Sequence, residues 1–261
     1  MAPSITLITV TYNAEKILAE TLQSAADQTF KGFEHWVIDG GSKDGTMDVV
    51  KKFPHVKYIS EKDEGIYDAM NKGIEIAEGE FVYFLNAGDC LFNSAILLQI
   101  SEHIQKRTYD MIYGDVFFKN HPSGVDFVQG RIVEFKDYYF SIALCHQAAF
   151  IKKELFTKLG LYKLNYKILA DQEWFVNYFK NCDNSLYITQ TVASYETVGM
   201  SHKQRFRNMI ENNQIAKTYF PTHIYILRMI RHPFLWTKVW LLSKINNTKV
   251  YHWYRKLFFN N

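Results

Sequence analysis

The chain has 261 residues, 48% of them hydrophobic, so it can bury a full core as one large domain or as one domain with an appendage. Its three cysteines form no CxxC pair, which indicates a reducing compartment and argues against a zinc cage or a disulfide framework. The total charge of +3 is uneven: residues 200–261 carry eleven Lys and Arg and one acid, Glu211, so the rest of the chain is acidic.

Short β-rich apolar runs alternate with helical patterns over the first ninety residues. Strands are predicted over residues 5–10, 33–38 and 56–60, and a fourth over the apolar run that leads to Asp89. Asn13 is predicted to cap the first helix, with Glu15 in its first turn, and Gly79 to end a later helix. This alternation predicts an α/β fold with a mostly parallel sheet. The first strand begins right after Met1–Ser4, so we expect no signal peptide.

Polar residues stand at the carboxyl end of every predicted strand in this half. They are Thr11-Tyr12-Asn13, Asp39, Glu61–Asp63 and Asp89. Open α/β sheets bind ligands at this edge, which favours a nucleotide crevice there. Asp39 can accept a hydrogen bond from the imide N–H of a pyrimidine, and Tyr12 can stack on the base. Packing of Tyr12 against the sheet edge is an equal alternative.

Two common nucleotide motifs do not fit. Gly40 and Gly45 have the spacing of a phosphate-binding P-loop, but Thr46 stands where that loop needs Lys. No G-x-G-x-x-G follows the first strand, which argues against a dinucleotide-dependent oxidoreductase. Asp89 can serve as an oxygen ligand of a hard divalent cation, with capping of a helix near Asn93 as its alternative role.

Four segments, taken together and in order, resemble the family-2 glycosyltransferases of the GT-A fold. They are Thr9–Glu15, Val37–Thr46, Glu61–Gly73 and Leu85–Asp89. The resemblance is close over residues 5–90 and looser to about residue 200. It implies a Rossmann-like GT-A domain over residues 1–200, with a nucleotide-binding half at 1–90 and an acceptor half at 91–200. A basic, aromatic, helical tail is expected over residues 201–261.

The resemblance implies a nucleotide-sugar donor, usually a UDP-sugar, and a divalent cation, Mn²⁺ or Mg²⁺. It puts Asp89 in the position of the D-x-D-type metal ligand. Asn86 and Gly88 stand where acids are often found, so we expect low cation affinity until the donor diphosphate arrives. The donor-binding residues that it implies are Thr11, Tyr12, Asn13, Glu15, Asp39, Gly65, Asp68, Asn71, Lys72, Asn86, Ala87 and Gly88.

The family's general base lies in a motif often written Glu-Asp, and Asp171 matches its Asp while Ala170 replaces its Glu. The alternative for Asp171 is an N-cap of the following helix, and Glu173 is the second candidate for the base. A single carboxylate that deprotonates the acceptor hydroxyl, with no covalent intermediate, gives inversion. His146 is either a substrate ligand or a core histidine. His202 is either a metal or phosphate ligand or a solvated loop residue.

In the tail, aromatic and aliphatic residues alternate with basic ones, and no run approaches the ~20 apolar residues that span a bilayer. Tryptophans beside Lys and Arg, such as Trp236 and Trp240, suit a lipid headgroup interface. Packing against the body or against a second subunit, as in a homo-oligomer, is the alternative. The acidic body and the absence of a recognised module argue against nucleic acid.

These observations together predict an inverting, metal-dependent, hexosyltransferase-type enzyme that builds a cell-surface polysaccharide or a lipid-linked glycan. We expect it at the cytoplasmic face of the inner membrane. One alternative is a sugar nucleotidyltransferase, which needs a Gly-rich loop with Arg and Lys after the first strand, where this chain has Thr11-Tyr12-Asn13. The other is a non-catalytic protein of the same fold that binds sugar nucleotides.

Overall fold

A computed structural model describes residues 3–119, 126–140, 144–182, 184–196 and 205–230. The chain divides into two compact units, Met1–Ile215 and Ala216–Asn261. His202 and the tail residues 231–261, with Trp236 and Trp240, lie outside the described residues, so their roles stay predictions. The division of the chain at residue 200 also stays a prediction.

Among the residues that the structure describes, the first unit contains a mixed sheet of nine strands. The strands are β1 Ile5–Thr11, β2 Phe33–Asp39, β3 Val56–Ser60, β4 Phe81–Phe84, β5 Cys90–Leu91, β6 Met111–Lys119, β7 Phe127–Gln129, β8 Ala149–Lys152 and β9 Ser185–Glu196. Their order is β3-β2-β1-β4-β8-β6-β9-β5, with β7 paired to β6. Strands β3, β2, β1 and β4 are all parallel, whereas β8 runs antiparallel to both β4 and β6. The predicted α/β fold, with parallel strands over the first ninety residues, is therefore confirmed.

Helices lie on both faces of this sheet. The helices of the described residues are α1 Leu18–Ala26, α2 Thr46–Val50, α3 Ile66–Ile76, α4 Ile96–Lys106, α5 Glu154–Leu159, α6 Ala170–Asn181 and α7 Arg205–Tyr219. Successive side chains of a strand point to opposite faces. Accordingly, Leu7 of β1 packs in the core cluster that contains Ile96 and Ile100 of α4. Its neighbour Ile8 faces α3, where a Cβ on Gly73 would lie 2.6 Å from an Ile8 methyl. Close packing of α3 on β1 thus requires glycine at position 73.

The first helix begins later than the sequence predicts. Its N-cap is Ile17, and Asn13 has a φ of 50°, a left-handed conformation that Asn tolerates better than most residues. The capping role of Asn13 and the first-turn position of Glu15 are therefore wrong. The prediction for Gly79 is wrong as well, since Ala77 is the C-cap of α3 and the Gly79 N–H donates to Thr6 Oγ1 at 2.9 Å.

The second unit is described only as far as residue 230. Residues 222–230 are helical, and the side chains of Ile226, Leu227, Met229 and Ile230 are exposed. Within the described ranges, no helix is both long enough and apolar enough to cross a membrane.

Candidate functional site

The carboxyl ends of β1, β2, β3 and β4 meet at one edge of the sheet. We call this edge, together with the loops that follow these four strands, the donor edge. Thr11 pairs with Asp39 in the β1–β2 register, and Asp39 pairs with Ser60 in the β2–β3 register. The predicted clustering of strand-end polar residues is therefore observed. Among the described residues, the buried Thr11 hydroxyl has no hydrogen-bond partner.

Asp39 organises the Gly-rich turn after β2. Its side chain is fully buried, and Oδ2 accepts the N–H groups of Gly41 at 3.2 Å and Ser42 at 2.9 Å. The hydroxyl of Ser60 donates to the same oxygen at 2.6 Å, and the hydroxyl of Ser42 donates to Oδ1. Asp39 thus fixes the shape of the donor edge, and its contact with a pyrimidine stays a prediction.

The loop after β1 is bonded to the loop after β2. Lys43 N–H donates to Asn13 Oδ1 at 2.9 Å, and Gly45 N–H donates to Glu15 Oε2 at 3.2 Å. These bonds explain why Asn13 and Glu15 do not start a helix, because their side chains accept backbone N–H groups of the neighbouring loop instead. Directly before Asn13, Tyr12 is 62% exposed, so it does not pack against the sheet edge. Its ring is accessible for stacking on a base.

The N-terminus of α3 brings Gly65, Asp68 and Lys72 to the same edge. Gly65 has a φ of 124°, which only glycine adopts readily. Asp68 Oδ2 accepts the N–H of Glu64 at 3.0 Å and lies 3.5 Å from Lys72 Nζ. Lys72 also pairs with Glu61 at 2.8 Å. This end of α3 therefore presents a mixed-charge surface at the donor edge.

Asn71 of α3 is hydrogen-bonded to the loop between α5 and α6. Its Nδ2 donates to the Tyr162 carbonyl at 2.8 Å, and its Oδ1 accepts the Tyr162 N–H at 3.0 Å. The side chain is nearly buried, and both ends of its amide hold the loop before α6. A contact of Asn71 with ribose or sugar stays a prediction.

The segment after β4 carries the predicted metal position. Gly88 has a φ of 97°, so an acid there would be strained, which explains why this chain has none. Asp89 is buried, and its Oδ2 accepts a hydrogen bond from Gln147 Nε2 at 3.2 Å. Helix α4 has Ala95 as its N-cap, so the alternative role of Asp89 as a helix cap is wrong. Ala87, half-buried, packs against the small core cluster around α1 and α2.

The side chains near Asp89 that could serve as metal ligands limit which kind of cation fits. Within the part of the chain that the structure describes, no group of three or more His, Cys, Asp or Glu could hold a metal ion. Mg²⁺ is commonly bound through one or two carboxylates together with substrate phosphates. One buried carboxylate therefore fits a cation that is shared with the diphosphate of a donor. It does not fit a cation held by protein ligands alone.

Asp171 lies in the first turn of α6, where Leu169 is the N-cap, so its alternative role as a cap is wrong. Its Oδ1 is 2.8 Å from the hydroxyl of Tyr67, and its Oδ2 accepts from His146 Nδ1 and from Gln172 Nε2, each at 3.0 Å. Burial alone would raise the pKa of Asp171, but the His146 contact, together with the Tyr67 and Gln172 hydrogen bonds, holds this pKa below its ordinary value. The carboxylate is therefore ionised and held in one orientation.

Both nitrogens of His146 contact site residues. Nδ1 lies 3.0 Å from Asp171 Oδ2, and Nε2 lies 2.8 Å from Asn86 Nδ2. His146 therefore has both nitrogens satisfied within the protein, as the core-histidine alternative expects, and its contact with a substrate stays a prediction. The other base candidate, Glu173, is buried and pairs with Lys163 Nζ at 2.6 Å.

Glu211 supports this site and was not predicted from the sequence. Its buried carboxylate accepts the backbone N–H groups of Lys167 at 2.8 Å and of Ile168 and Leu169 at 2.9 Å each. These residues lie directly before α6 and Asp171. The one sequence signal for such a role was that Glu211 is the single acid within residues 200–261.

Solved structures share this architecture. S. aureus TarS 1–349 in complex with UDP-GlcNAc aligns with a TM-score of 0.66 at 19% identity, over 87% of this chain and 72% of that one. The chain spans 42% of the longer TarS chain. Mannosyltransferase PcManGT from Pyrobaculum calidifontis, in complex with GDP-Man and Mn²⁺, aligns with a TM-score of 0.64 at 17% identity, over 84% of this chain and 65% of that one. The fold is that of the GT-A glycosyltransferases.

Sequence comparison gives the family. Residues 6–187 match the model of glycosyl transferase family 2, and the chain belongs to this family. A PGL/p-HBAD biosynthesis glycosyltransferase of Mycobacterium tuberculosis is 33% identical over 205 residues, which cover 76% of this chain and 78% of the relative. An uncharacterized glycosyltransferase of the same species is 32% identical over 216 residues, covering 78% and 79%. The predicted family and fold are both confirmed.

Proposed function

We propose that this protein is an inverting glycosyltransferase that moves a sugar from a UDP-sugar to a hydroxyl group of a glycan or lipid-linked acceptor. The observation that carries this proposal is the buried, ionised carboxylate of Asp171, which is joined through His146 to Asn86 at the donor edge. Two comparisons support it. One TarS structure contains UDP-GlcNAc, and the mycobacterial relative is named for the biosynthesis of PGL/p-HBAD.

The reaction needs one proton acceptor and one leaving group. The proton of the acceptor hydroxyl passes to Asp171, and the freed oxygen pair forms a bond to the anomeric carbon. The bond from that carbon to the diphosphate breaks on the opposite face, and the nucleoside diphosphate leaves with the electron pair. One displacement without a covalent intermediate inverts the anomeric configuration. General-base catalysis of this kind contributes roughly 10²–10⁴ in rate.

Donor binding is assigned to the loops of the donor edge. Tyr12 offers an exposed ring to the base, and the shape of the adjacent turn is fixed by Asp39. Asn86 Oδ1 is buried and has no hydrogen-bond partner among the described residues, which fits an acceptor for a donor hydroxyl. Asp89 would hold Mn²⁺ or Mg²⁺ together with the diphosphate, as the Mn²⁺ in the PcManGT complex supports. Such a cation stabilises the charge that develops on the leaving group.

We also assign the protein to the cytoplasmic face of the inner membrane, in the synthesis of surface polysaccharide. The support is the net charge of +10 over residues 200–261, because anionic lipids attract such segments. The full-length protein should sediment with anionic vesicles at low salt and release as salt rises. Indifference to anionic vesicles would favour the alternative, in which the tail packs on the body or on a second copy of the chain.

A donor screen tests the catalytic proposal. The melting temperature is measured with UDP-glucose, UDP-galactose, UDP-N-acetylglucosamine and GDP-mannose, each with and without Mn²⁺, and UDP release is followed without an acceptor. We expect a shift with a UDP-sugar that is larger with Mn²⁺, and slow release of UDP. Binding without release in the presence of glycan acceptors would favour the non-catalytic alternative.

A further inference from the structure

The hydrogen bonds around Asp171 leave it few ways to accept a proton. A carboxylate offers about four lone-pair directions, two on each oxygen. On Oδ2, both directions are used, by His146 Nδ1 and Gln172 Nε2. Oδ1 lies near a single hydroxyl, that of Tyr67, which is also 2.6 Å from the Ile168 carbonyl. Among the described residues, the remaining direction on Oδ1 is therefore the one that can meet an acceptor hydroxyl.

With Nδ2 of Asn86 facing its ring, His146 has one protonation state that satisfies both partners. An ionised carboxylate accepts hydrogen bonds and cannot donate, so Nδ1 must carry a proton toward Asp171. Asn86 presents its amide Nδ2, a donor, to Nε2, so Nε2 must keep its lone pair. The neutral imidazole with its proton on Nδ1 meets both conditions. An unconstrained histidine prefers the proton on Nε2, so the two partners together select the less common tautomer.

We propose that His146 is a positioning residue that holds the base for the acceptor hydroxyl: as the neutral Nδ1–H tautomer, it ties Oδ2 of Asp171 to Asn86 and leaves Oδ1 to take the proton. This inference rests on the proposed function. It adds a connection between donor binding and the base, since Asn86 lies in the loop after β4, at the donor edge. A donor that contacts Asn86 then holds Asp171 in position through the imidazole ring of His146.

The other titratable groups near Asp171 do not compete for this role. They are Tyr67, Tyr138, Tyr162 and Cys145. Burial raises the pKa of each tyrosine well above its ordinary value and raises the pKa of Cys145 to about 12. All four stay protonated near neutral pH, so His146 is the neighbour whose tautomer matters.

Two substitutions separate the contacts of His146. The amide nitrogen of His146→Asn stands near the former Nδ1 and can still donate to Asp171. The amide of His146→Gln reaches the former Nε2 and loses the contact with Asp171.

We expect His146→Gln to lower UDP release from a mixture of UDP-glucose, UDP-galactose and UDP-N-acetylglucosamine by about tenfold to a hundredfold, the usual worth of a hydrogen bond to a charged group. His146→Asn should lower it less, by about twofold to tenfold, because it keeps the hydrogen bond to Asp171 and loses only the neutral one to Asn86. Titration with UDP should give equal affinities and so show that both variants are folded.

The tautomer is read directly from the imidazole nitrogens by long-range ¹H–¹⁵N NMR at pH 7. We expect His146 Nδ1 in the protonated range and Nε2 in the unprotonated range, with the signals assigned by their loss in His146→Asn. A proton on Nε2, a doubly protonated ring, or equal rates in the two variants would overturn the inference.

Asp171→Asn is measured in the same UDP-release assay as the two His146 variants. If Asp171→Asn keeps the wild-type rate, the proposed function fails as well. If it is inactive while both His146 variants are unaffected, only the role of His146 fails.

Discussion

Glu211 of α7 accepts the backbone N–H of Ile168 at 2.9 Å, while the carbonyl of Ile168 lies 2.6 Å from the hydroxyl of Tyr67. Both backbone groups of this residue are therefore held, three positions before Asp171. The match to the family model ends at residue 187, so Glu211 comes from a part of the chain beyond it. The position of Asp171, the proposed base, is therefore supported by α7 as well as by the part of the chain that matches the family.

Replacing Glu211 by Ala should destabilise the protein by roughly 1–3 kcal/mol, because the buried N–H of Leu169 and the partly buried N–H groups of Lys167 and Ile168 lose their acceptor. Urea unfolding of both proteins measures this difference. Arg207→Ala is the matched control, since Arg207 is half exposed and its Nε lies 3.7 Å from Glu211 Oε1. It should change the stability by about 0.5 kcal/mol or less. Equal stability of the two variants would mean that Glu211 does not hold the loop before α6.

Asp39→Ala should weaken UDP binding by about 1–3 kcal/mol, because the Gly41–Ser42 turn loses the carboxylate that shapes it. UDP and the UDP-sugar should be affected alike, since the contact lies at the base end of the donor. Calorimetric titration of the variant with each ligand checks both statements. Unchanged UDP affinity together with lost turnover would show that Asp39 acts elsewhere in the site.

Gly65→Ala should destabilise the protein by about 1–3 kcal/mol, the usual cost of a strained backbone conformation. A Cβ at this position meets no atom within 4 Å, so backbone strain is the whole cause. Gly160→Ala is the control, because Gly160 has a φ of 91° and the same open surroundings, and it lies outside the donor edge. Both variants should unfold at lower urea, but only Gly65→Ala should also weaken UDP binding. Equal UDP affinities would remove Gly65 from the donor site.

The buried His35 should make stability fall in mild acid. Burial, aided by the charge of His55, lowers the pKa of His35 to about 3 in the folded protein, from about 6.5. The unfolded chain therefore binds the proton first, so the stabilising effect is complete above pH 6.5 and declines as the pH falls toward 3. Between pH 7 and pH 5 this amounts to about 2 kcal/mol.

Urea unfolding at pH 7 and pH 5 measures the effect, with His35→Gln as the variant whose stability should depend less on pH. His55→Gln serves as the comparison, since the pKa of His55 is also lowered by burial but that residue is only partly buried. An equal loss of stability in wild type and His35→Gln would place the acid-sensitive group elsewhere.

The sequence predicted the parallel half of the sheet well because periodicity and strand-end residues are local signals. The start of α1 was mispredicted at Asn13, whose partner Lys43 lies thirty residues away in the next loop. The hydrogen-bond partners of Asp171 could not be predicted for the same reason. Tyr67 and His146 reach Asp171 from distant parts of the chain, and only the folded sheet brings them together.

The direct test of the central claim is the comparison of donor binding and sugar transfer in wild type and Asp171→Asn. Calorimetry with the UDP-sugar measures binding, and UDP release in the presence of a glycan acceptor measures turnover. Asp171→Asn should bind the donor with wild-type affinity and lose roughly 10²–10⁴ in turnover, as expected when a general base is removed. Wild-type turnover in Asp171→Asn, with Glu173→Gln inactive, would contradict the assignment of the base.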